Sequence, residues 1–141
     1  MRYLAIDPGD KRTGLAVGDD ETAQAGPVGV INTSDPGTLL RELAAAIDEH
    51  GPDALVIGVP LNMDGTEGPA AKKARALAMM LHQNTGLEVH AFDERLTSYE
   101  ADQRMNQSGL THKQKKARRD AIAAAAILSD FLTSRRTKDE T

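Results

Sequence analysis

The sequence predicts an α/β fold: a mixed five-stranded sheet with helices on both faces, in which three antiparallel strands are followed by two parallel ones. Three observations carry this. Short apolar runs separated by turn residues fill positions 2 to 33. Apolar residues then recur at helical spacing. Between those helical stretches stands Ala54 to Val59, an almost wholly apolar run of the kind that a central parallel strand, covered on both faces, requires.

Taken in order, Arg2 to Ile6, Thr13 to Gly18 and Val28 to Thr33 read as strands. Pro8-Gly9-Asp10 and Ala25-Gly26-Pro27 supply the reversals between them, which makes a meander. Asp35 can cap a helix whose first residue is Pro36. Leu39, Leu40, Leu43 and Ile47 give that helix its apolar face, and Gly51 ends it. After the strand stopped by Pro60 comes a loop with Asn62, Asp64, Gly65 and Gly68. Residues 69 to 85 are helical, Gly86 ends them, and Glu88 to Asp93 is the fifth strand. Thr97 and Glu100 have capping-box spacing for a helix that Gly109 breaks. Thr111 can cap the last helix, which the apolar pattern carries to about Leu132. Residues 1–133 thus form one domain, and the charged segment 134–141 is expected to fray.

Composition narrows the function. The chain has 141 residues, enough for one hydrophobic core, with 40% hydrophobic and 27% charged residues. With aromatics at 3%, base stacking on an aromatic sheet surface is disfavoured. The absence of cysteine removes disulfides, zinc-thiolate sites and a thiol nucleophile, and fits a reducing cytoplasm, the expected location. No apolar run reaches the ~20 residues of a membrane span. The net charge of −4 repels polyanions overall, so nucleic acid would need a local basic patch or a bridging metal.

Three acids stand where a metal site would want them. Asp7 closes the run Leu4-Ala5-Ile6, Glu94 follows the fifth strand, and Asp120 heads an apolar stripe formed by Ala123, Ala124, Ile127, Leu128 and Phe131. An acid in such a place loses hydration unless a cation or donor replaces it. Oxygen-only ligands point to Mg²⁺ or Mn²⁺. Each acid also has a plainer reading. Asp7-Pro8-Gly9 is a common turn, Asp93 and Glu94 both favour a helix dipole so that spacing does not separate them, and Asp120 can simply pair with Arg95. Without metal the three carboxylates repel, and Asp120 is expected to be the most desolvated, with the most raised pKa.

Lys113, Lys115, Lys116, Arg118 and Arg119 crowd the start of the last helix, the unfavourable end for cations. They read equally as a solvated face or as a patch tracking phosphates. His50, His82, His90 and His112 show no metal-ligand spacing and are expected at the surface or at helix ends. Ser98 and Ser108 lack a His-Asp arrangement, so a serine nucleophile is rejected.

At this point the residues resemble a known family. Asp7 to Ala16 (DPGDKRTGLA) resembles the N-terminal signature of the YqgF/RuvX family, and Gly58 to Thr66 (GVPLNMDGT) its second motif. Asp93-Glu94-Arg95-Leu96-Thr97-Ser98 is similar to its third, and Asp120 to Ala124 with Ile127-Leu128 to its fourth. The resemblance implies an RNase H-like fold. It implies a nuclease that matures the 5′ end of pre-16S ribosomal RNA, with Holliday-junction resolution described for some members. It makes Asp7, Glu94 and Asp120 the catalytic, metal-binding acids and sets Lys11, Arg12 and Arg95 near the substrate. The expected chemistry is phosphodiester hydrolysis with two divalent ions about 4 Å apart. The expected partner is pre-16S rRNA, in a ribosomal precursor particle, or branched DNA, with no membrane and with oligomeric state left open. Two rivals are an actin-like nucleotide-binding module using the Asp7–Gly9 loop and a non-catalytic RNA-binding ribosome-assembly factor using the basic helix.

Overall fold

The computed structural model describes residues 1–96 and 112–140, and within the last helix the side chains of residues 119–135. The strands are β1 (Arg2–Asp7), β2 (Arg12–Asp19), β3 (Gln24–Asn32), β4 (Ala54–Val59) and β5 (Glu88–Asp93). The helices are α1 (Pro36–His50), α2 (Pro69–Thr85) and α3 (His112–Glu140), with a 3-10 turn at Glu94–Leu96. The expected Thr97 helix, its Gly109 break and the Thr111 cap lie outside the described residues.

The sheet order is β3-β2-β1-β4-β5, antiparallel across β3-β2-β1 and parallel across β1-β4-β5, as expected. Strand alternation divides the core into two layers. Tyr3, Ala5, Ala54 and Val56 face α3, whose Ala124, Ile127, Leu128 and Phe131 cover them. Leu4, Ile6, Leu55 and Ile57 face the other way, under Leu43 of α1 and Leu77 and Leu81 of α2. β1 and β4 are buried almost throughout, which is why their sequences are continuous apolar runs rather than alternating ones. Asp35 accepts a hydrogen bond from the Thr38 amide at 2.8 Å and caps α1. Gly51 and Gly86 close α1 and α2 in the left-handed region, at φ 57° and 72°.

Three expectations need correction. The β2–β3 reversal is not at Ala25-Gly26-Pro27. It falls at residues 20–23, where Ala23 takes φ 55° and its amide bonds to the Asp19 carbonyl at 2.9 Å. Gly26 and Pro27 belong to β3. Proline is tolerated there because β3 is an edge strand, and the pairing slips beside it, from Leu15↔Gly29 to Ala16↔Pro27. The last helix does not stop near Leu132 but runs to Glu140. Arg135 lies over the Phe131 ring at 5.4 Å, and its neighbours are adequate helix formers. His90 is no surface residue. It sits among Tyr3 and Phe131, ring centroids at 6.3 and 5.0 Å, and burial holds its pKa below the ordinary value.

Small residues line the α3 face of the sheet and let the helix come close. A Cβ on Gly14 would lie 1.8 Å from the Asp120 carbonyl oxygen, one on Gly18 2.9 Å from Leu128 Cδ2, and one on Gly58 2.7 Å from Ile127 Cδ1. At Gly14 the obstacle is backbone, which cannot rotate aside. Gly14→Ala should therefore destabilise the fold by about 2–3 kcal/mol or more, read as a shift in the urea midpoint followed by circular dichroism. Wild-type stability in that variant would mean that α3 does not rest on β2 at this point.

Candidate active site

The site lies beyond the carboxyl ends of the parallel strands, where ligands gather in open α/β sheets. β1 delivers Asp7, which is only 8% exposed. Its strand alternates Tyr3, Ala5 and Asp7 onto the α3 face, and Asp7 is paired in register with Gly14. The missing Gly14 side chain is what allows the Asp120 backbone, and with it the Asp120 carboxylate, down to the level of Asp7. Glu94 arrives from the opposite side, in the 3-10 turn directly after β5. It reaches back across Gly58, where a Cβ would stand 3.2 Å from both Glu94 Cγ and Cδ. Gly58 therefore serves two neighbours, Ile127 and Glu94.

Asp7 and Glu94 share a side-chain hydrogen bond. Two carboxyl groups can do so only if one of them keeps a proton. Burial first, then the hydrogen bond and charge of Glu94, and then the charge of Asp120 push the Asp7 pKa up to about 10. Asp120 is also raised by burial, but Arg12 and Arg119 oppose that rise. The expectation that Asp120 would be the most desolvated is thus reversed. Asp120 sits at the margin of its helix's buried stripe, next to a cation, whereas Asp7 ends a strand buried on both faces.

The ion-pair partner of Asp120 is Arg12, Nε to Oδ2 3.4 Å, rather than Arg95. Arg95 is committed elsewhere. Its Nε and Nη2 donate to Asp93 at 2.5 to 3.0 Å, and its Nη1 donates to the carbonyls of Asn62 and Met63 at 3.4 and 3.1 Å. It fastens the loop after β4 to the end of β5, and this contact holds the Asp93 carboxyl below its ordinary pKa. The neighbouring acids that spacing left equivalent are therefore separated by their contacts: Asp93 faces Arg95, and Glu94 faces Asp7.

Asp7, Glu94 and Asp120 line one cleft of about 510 Å³. Among the described residues no three His, Cys, Asp or Glu side chains are arranged to hold a metal ion as they stand. Asp7 and Glu94 stand as interacting neighbours, and Asp120 is paired with Arg12. The donor set nonetheless suits a hard divalent cation. It consists of carboxylate oxygens, one of them in a carboxyl whose ionisation burial opposes. Lys11 is exposed on the loop beside Asp7, Arg12 is half-buried at the start of β2, and Arg119 is exposed one residue before Asp120. The side chains of Lys113, Lys115, Lys116 and Arg118, like Ser98 and Ser108, lie outside the described residues. Gly14, Gly58 and the Arg12–Asp120 pair were not singled out from the sequence as site determinants. The one available signal was that Gly14 shares a motif with Asp7; Gly58 opens the second motif, which carries none of the three acids.

Comparison with known proteins agrees with this architecture. The family model described as "RuvX: Holliday junction resolvase" matches residues 1–134. A protein of Anaeromyxobacter sp. (strain Fw109-5), named "Putative pre-16S rRNA nuclease", is 42% identical over 135 residues, covering 96% of this chain and 98% of its own. One of the same name from Opitutus terrae is 42% identical over 136 residues, covering 96% and 93%. Among solved structures, Thermus thermophilus RuvC in complex with a Holliday junction substrate superposes with a TM-score of 0.63 at 19% identity, covering 96% of each chain. That likeness is one of fold.

The raised Asp7 pKa has a consequence for stability. Folded Asp7 holds its proton to about pH 10, whereas in the unfolded chain it ionises near its ordinary 3.8. Between these values the folded state binds the extra proton, so stability falls as pH rises. In chelator the melting temperature should decline from pH 5 to 9. Asp7→Asn should flatten this decline and melt above wild type at pH 8, because its amide donates to Glu94 without a titrating proton. A wild-type profile as flat as that of the variant would show that Asp7 is ionised in the folded protein.

Proposed function

The chain belongs to the RuvX Holliday junction resolvase family, and from that premise we propose that it is a divalent-metal-dependent nuclease that processes the 5′ end of pre-16S rRNA. The observation that carries the proposal is the buried Asp7–Glu94 pair at the carboxyl ends of parallel strands, with Asp120 on the wall of the same cleft. A closed carboxyl pair that shares a proton has little structural use, since an apolar pair would be cheaper to bury. It makes sense as a cation site in its protonated resting form.

Asp7 and Glu94 would hold Mg²⁺ or Mn²⁺ once their shared proton leaves, and Asp120 would join them as Arg12 turns from it to a substrate phosphate. What such ions supply is charge neutralisation on the phosphoryl oxygens and an acidified attacking water. The protein's part is positioning. β1 and the Glu94 turn hold two carboxylates on rigid elements, and Gly14 sets the height of the third. Lys11, Arg12 and Arg119 suit contacts to the nucleic-acid backbone. Lys115 and Arg118 share a helix face with Arg119 by their spacing, and we assign them the same role. Arg95, occupied by Asp93 and two loop carbonyls, acts in this reading as the strut behind Glu94 and not as a phosphate ligand. A second reading, resolution of four-way DNA junctions, is favoured by the description of the family model. The names of the relatives at 42% identity favour the RNA reading. A ribosomal precursor particle is the natural setting for the RNA substrate. No described helix is long and apolar enough to cross a membrane, and the proposed location is the cytoplasm.

Cleavage of pre-16S RNA and of four-way DNA junctions, side by side with Mg²⁺ or Mn²⁺, tests the reading. Asp7→Asn and Glu94→Gln should each lower turnover by ~10²-fold or more, about 2.7 kcal/mol of barrier, with folding retained. Near-normal turnover in Asp7→Asn would remove that carboxylate from the mechanism. RNA binding without cleavage by wild type under all conditions would favour the assembly-factor role.

Replacing Lys115, Arg118 and Arg119 together by Gln should weaken binding more than it slows turnover. Each phosphate left without its cation should reduce the log–log salt slope by ~0.7 on single strands or ~0.9 on duplex. An unchanged slope would make the basic run a solvated face.

A further inference from the structure

The cleft that contains the carboxylates is larger than a phosphate site needs. It extends from Asp7 and Glu94 between α1 and α2, where its walls are Leu39 and Leu40 from one helix and Ala76, Leu77 and Met80 from the other. Lys73, Ala76, Leu77 and Met80 fall at helical spacing, so α2 turns one continuous stripe into it. The two leucines are partly buried, Leu77 is 9% exposed and Met80 40% exposed. Polar groups gather at the mouth, where Lys73 of α2 meets Asp10 of the β1–β2 turn at 3.8 Å. The volume of about 510 Å³ is in the range of small-molecule pockets, ~300–1,000 Å³.

An aliphatic chamber with a polar mouth, continuous with a phosphodiester-cleaving centre, suits a flat heterocycle with apolar faces and polar edges. Among the described residues the aromatic rings are not available for that purpose: Tyr3, Phe92 and Phe131 pack in the core layer under α3, on the other side of the sheet. Among the described residues, the space that adjoins Asp7 and Glu94 on the α1–α2 side is this chamber, and a nucleotide whose phosphate lies at those acids can place its base there. The geometry points to a nucleobase slot: the chamber takes one unstacked base next to the scissile phosphate, held by Leu39, Leu40, Leu77 and Met80. This inference rests on the nuclease reading and deepens it. A base within a duplex would first have to be flipped out at the cost of its pairing and stacking, so the favoured substrate class is a strand unpaired at the cut.

The experiment combines an abasic scan with a filled chamber. Single abasic nucleotides are placed in turn on either side of the cut in a single-stranded pre-16S RNA oligonucleotide, and kcat and KM are measured for wild type and Ala76→Leu. Ala76 is exposed on α2, and the larger side chain enters the chamber without disturbing buried groups. One abasic position should raise KM for wild type by ~10-fold, the scale of losing the burial of one apolar group. Ala76→Leu should raise KM on the intact strand similarly and be indifferent to that abasic position. Annealing a complementary strand across the cut should suppress cleavage. The scan on wild type needs no variant, so a folding failure of Ala76→Leu would not shelter the idea. Penalties that multiply, no sensitive position, or equal cleavage of the annealed duplex would overturn it. So would an Ala76→Leu effect traced by sedimentation to a change in self-association, which would give the chamber to a second copy of the chain. Cleavage that depends on Asp7 but ignores the chamber would sink this inference alone. Absence of any Asp7-dependent cleavage would sink the nuclease reading and the slot with it.

Discussion

Everything at this site depends on how near α3 comes to β2. The carbonyl oxygen of Asp120 occupies the place where a Gly14 side chain would begin, 1.8 Å from an ideal Cβ. Because Gly14 is the register partner of Asp7, that contact fixes the height of Asp120 relative to the strand that carries Asp7. The rest of the α3 face follows the same logic. Ala5, Ala16, Ala54, Gly18 and Gly58 keep the sheet surface low, and the Ala-rich stretch of α3 keeps the helix surface low. Ile127 packs over Gly58 beside Glu94, and Tyr3, Leu128 and Phe131 fill the same layer farther from the site. Close packing between small residues leaves little freedom for slippage, which suits a catalytic group carried on a helix.

The second constraint is electrostatic. Burial makes the ionised form of Asp7 costly, and the Glu94 carboxyl beside it adds to the cost. The site resolves this in one way with a shared proton and would resolve it in another with a cation. Arg12 plays the matching part for Asp120. One short loop therefore bears both an acid of the site, Asp7 at its start, and the counter-ion of another acid, Arg12 at its end. Gly9 lets the loop close that tightly, since a Cβ there would meet the Arg12 carbonyl at 2.4 Å. The loop after β4 is tied down comparably. The Asn62 amide donates to the Thr66 carbonyl at 2.9 Å, the Thr66 hydroxyl donates to Asp64 at 2.6 Å, and Arg95 grips the loop from the side of β5.

Much of this was legible in the chain. Periodicity is a local property, so the five strands, α1 and α2 could be read from it, and capping chemistry placed Asp35, Gly51 and Gly86 correctly. The β2–β3 turn was misplaced because Gly26-Pro27 carries turn chemistry wherever it stands. Only its position on an edge strand makes it compatible with a ladder. The end of α3 was misjudged because apolar periodicity stops near Leu132 although the helix does not.

The sequence by itself determined which residues are acidic, where the strands end and which helical face is apolar, and these suffice to bring Asp7, Glu94 and Asp120 to one end of one sheet. Only the tertiary structure decided their relations. It separated Asp93 from Glu94 by giving one to Arg95 and the other to Asp7. It joined Asp120 to Arg12 and put the greatest burial on Asp7. It opened the chamber between α1 and α2. The physical reason is that pairing and desolvation depend on distances across elements that are far apart in the chain. Those distances are set by how closely layers pack, and a missing Cβ at Gly14 or Gly58 acquires meaning only once its neighbour is known.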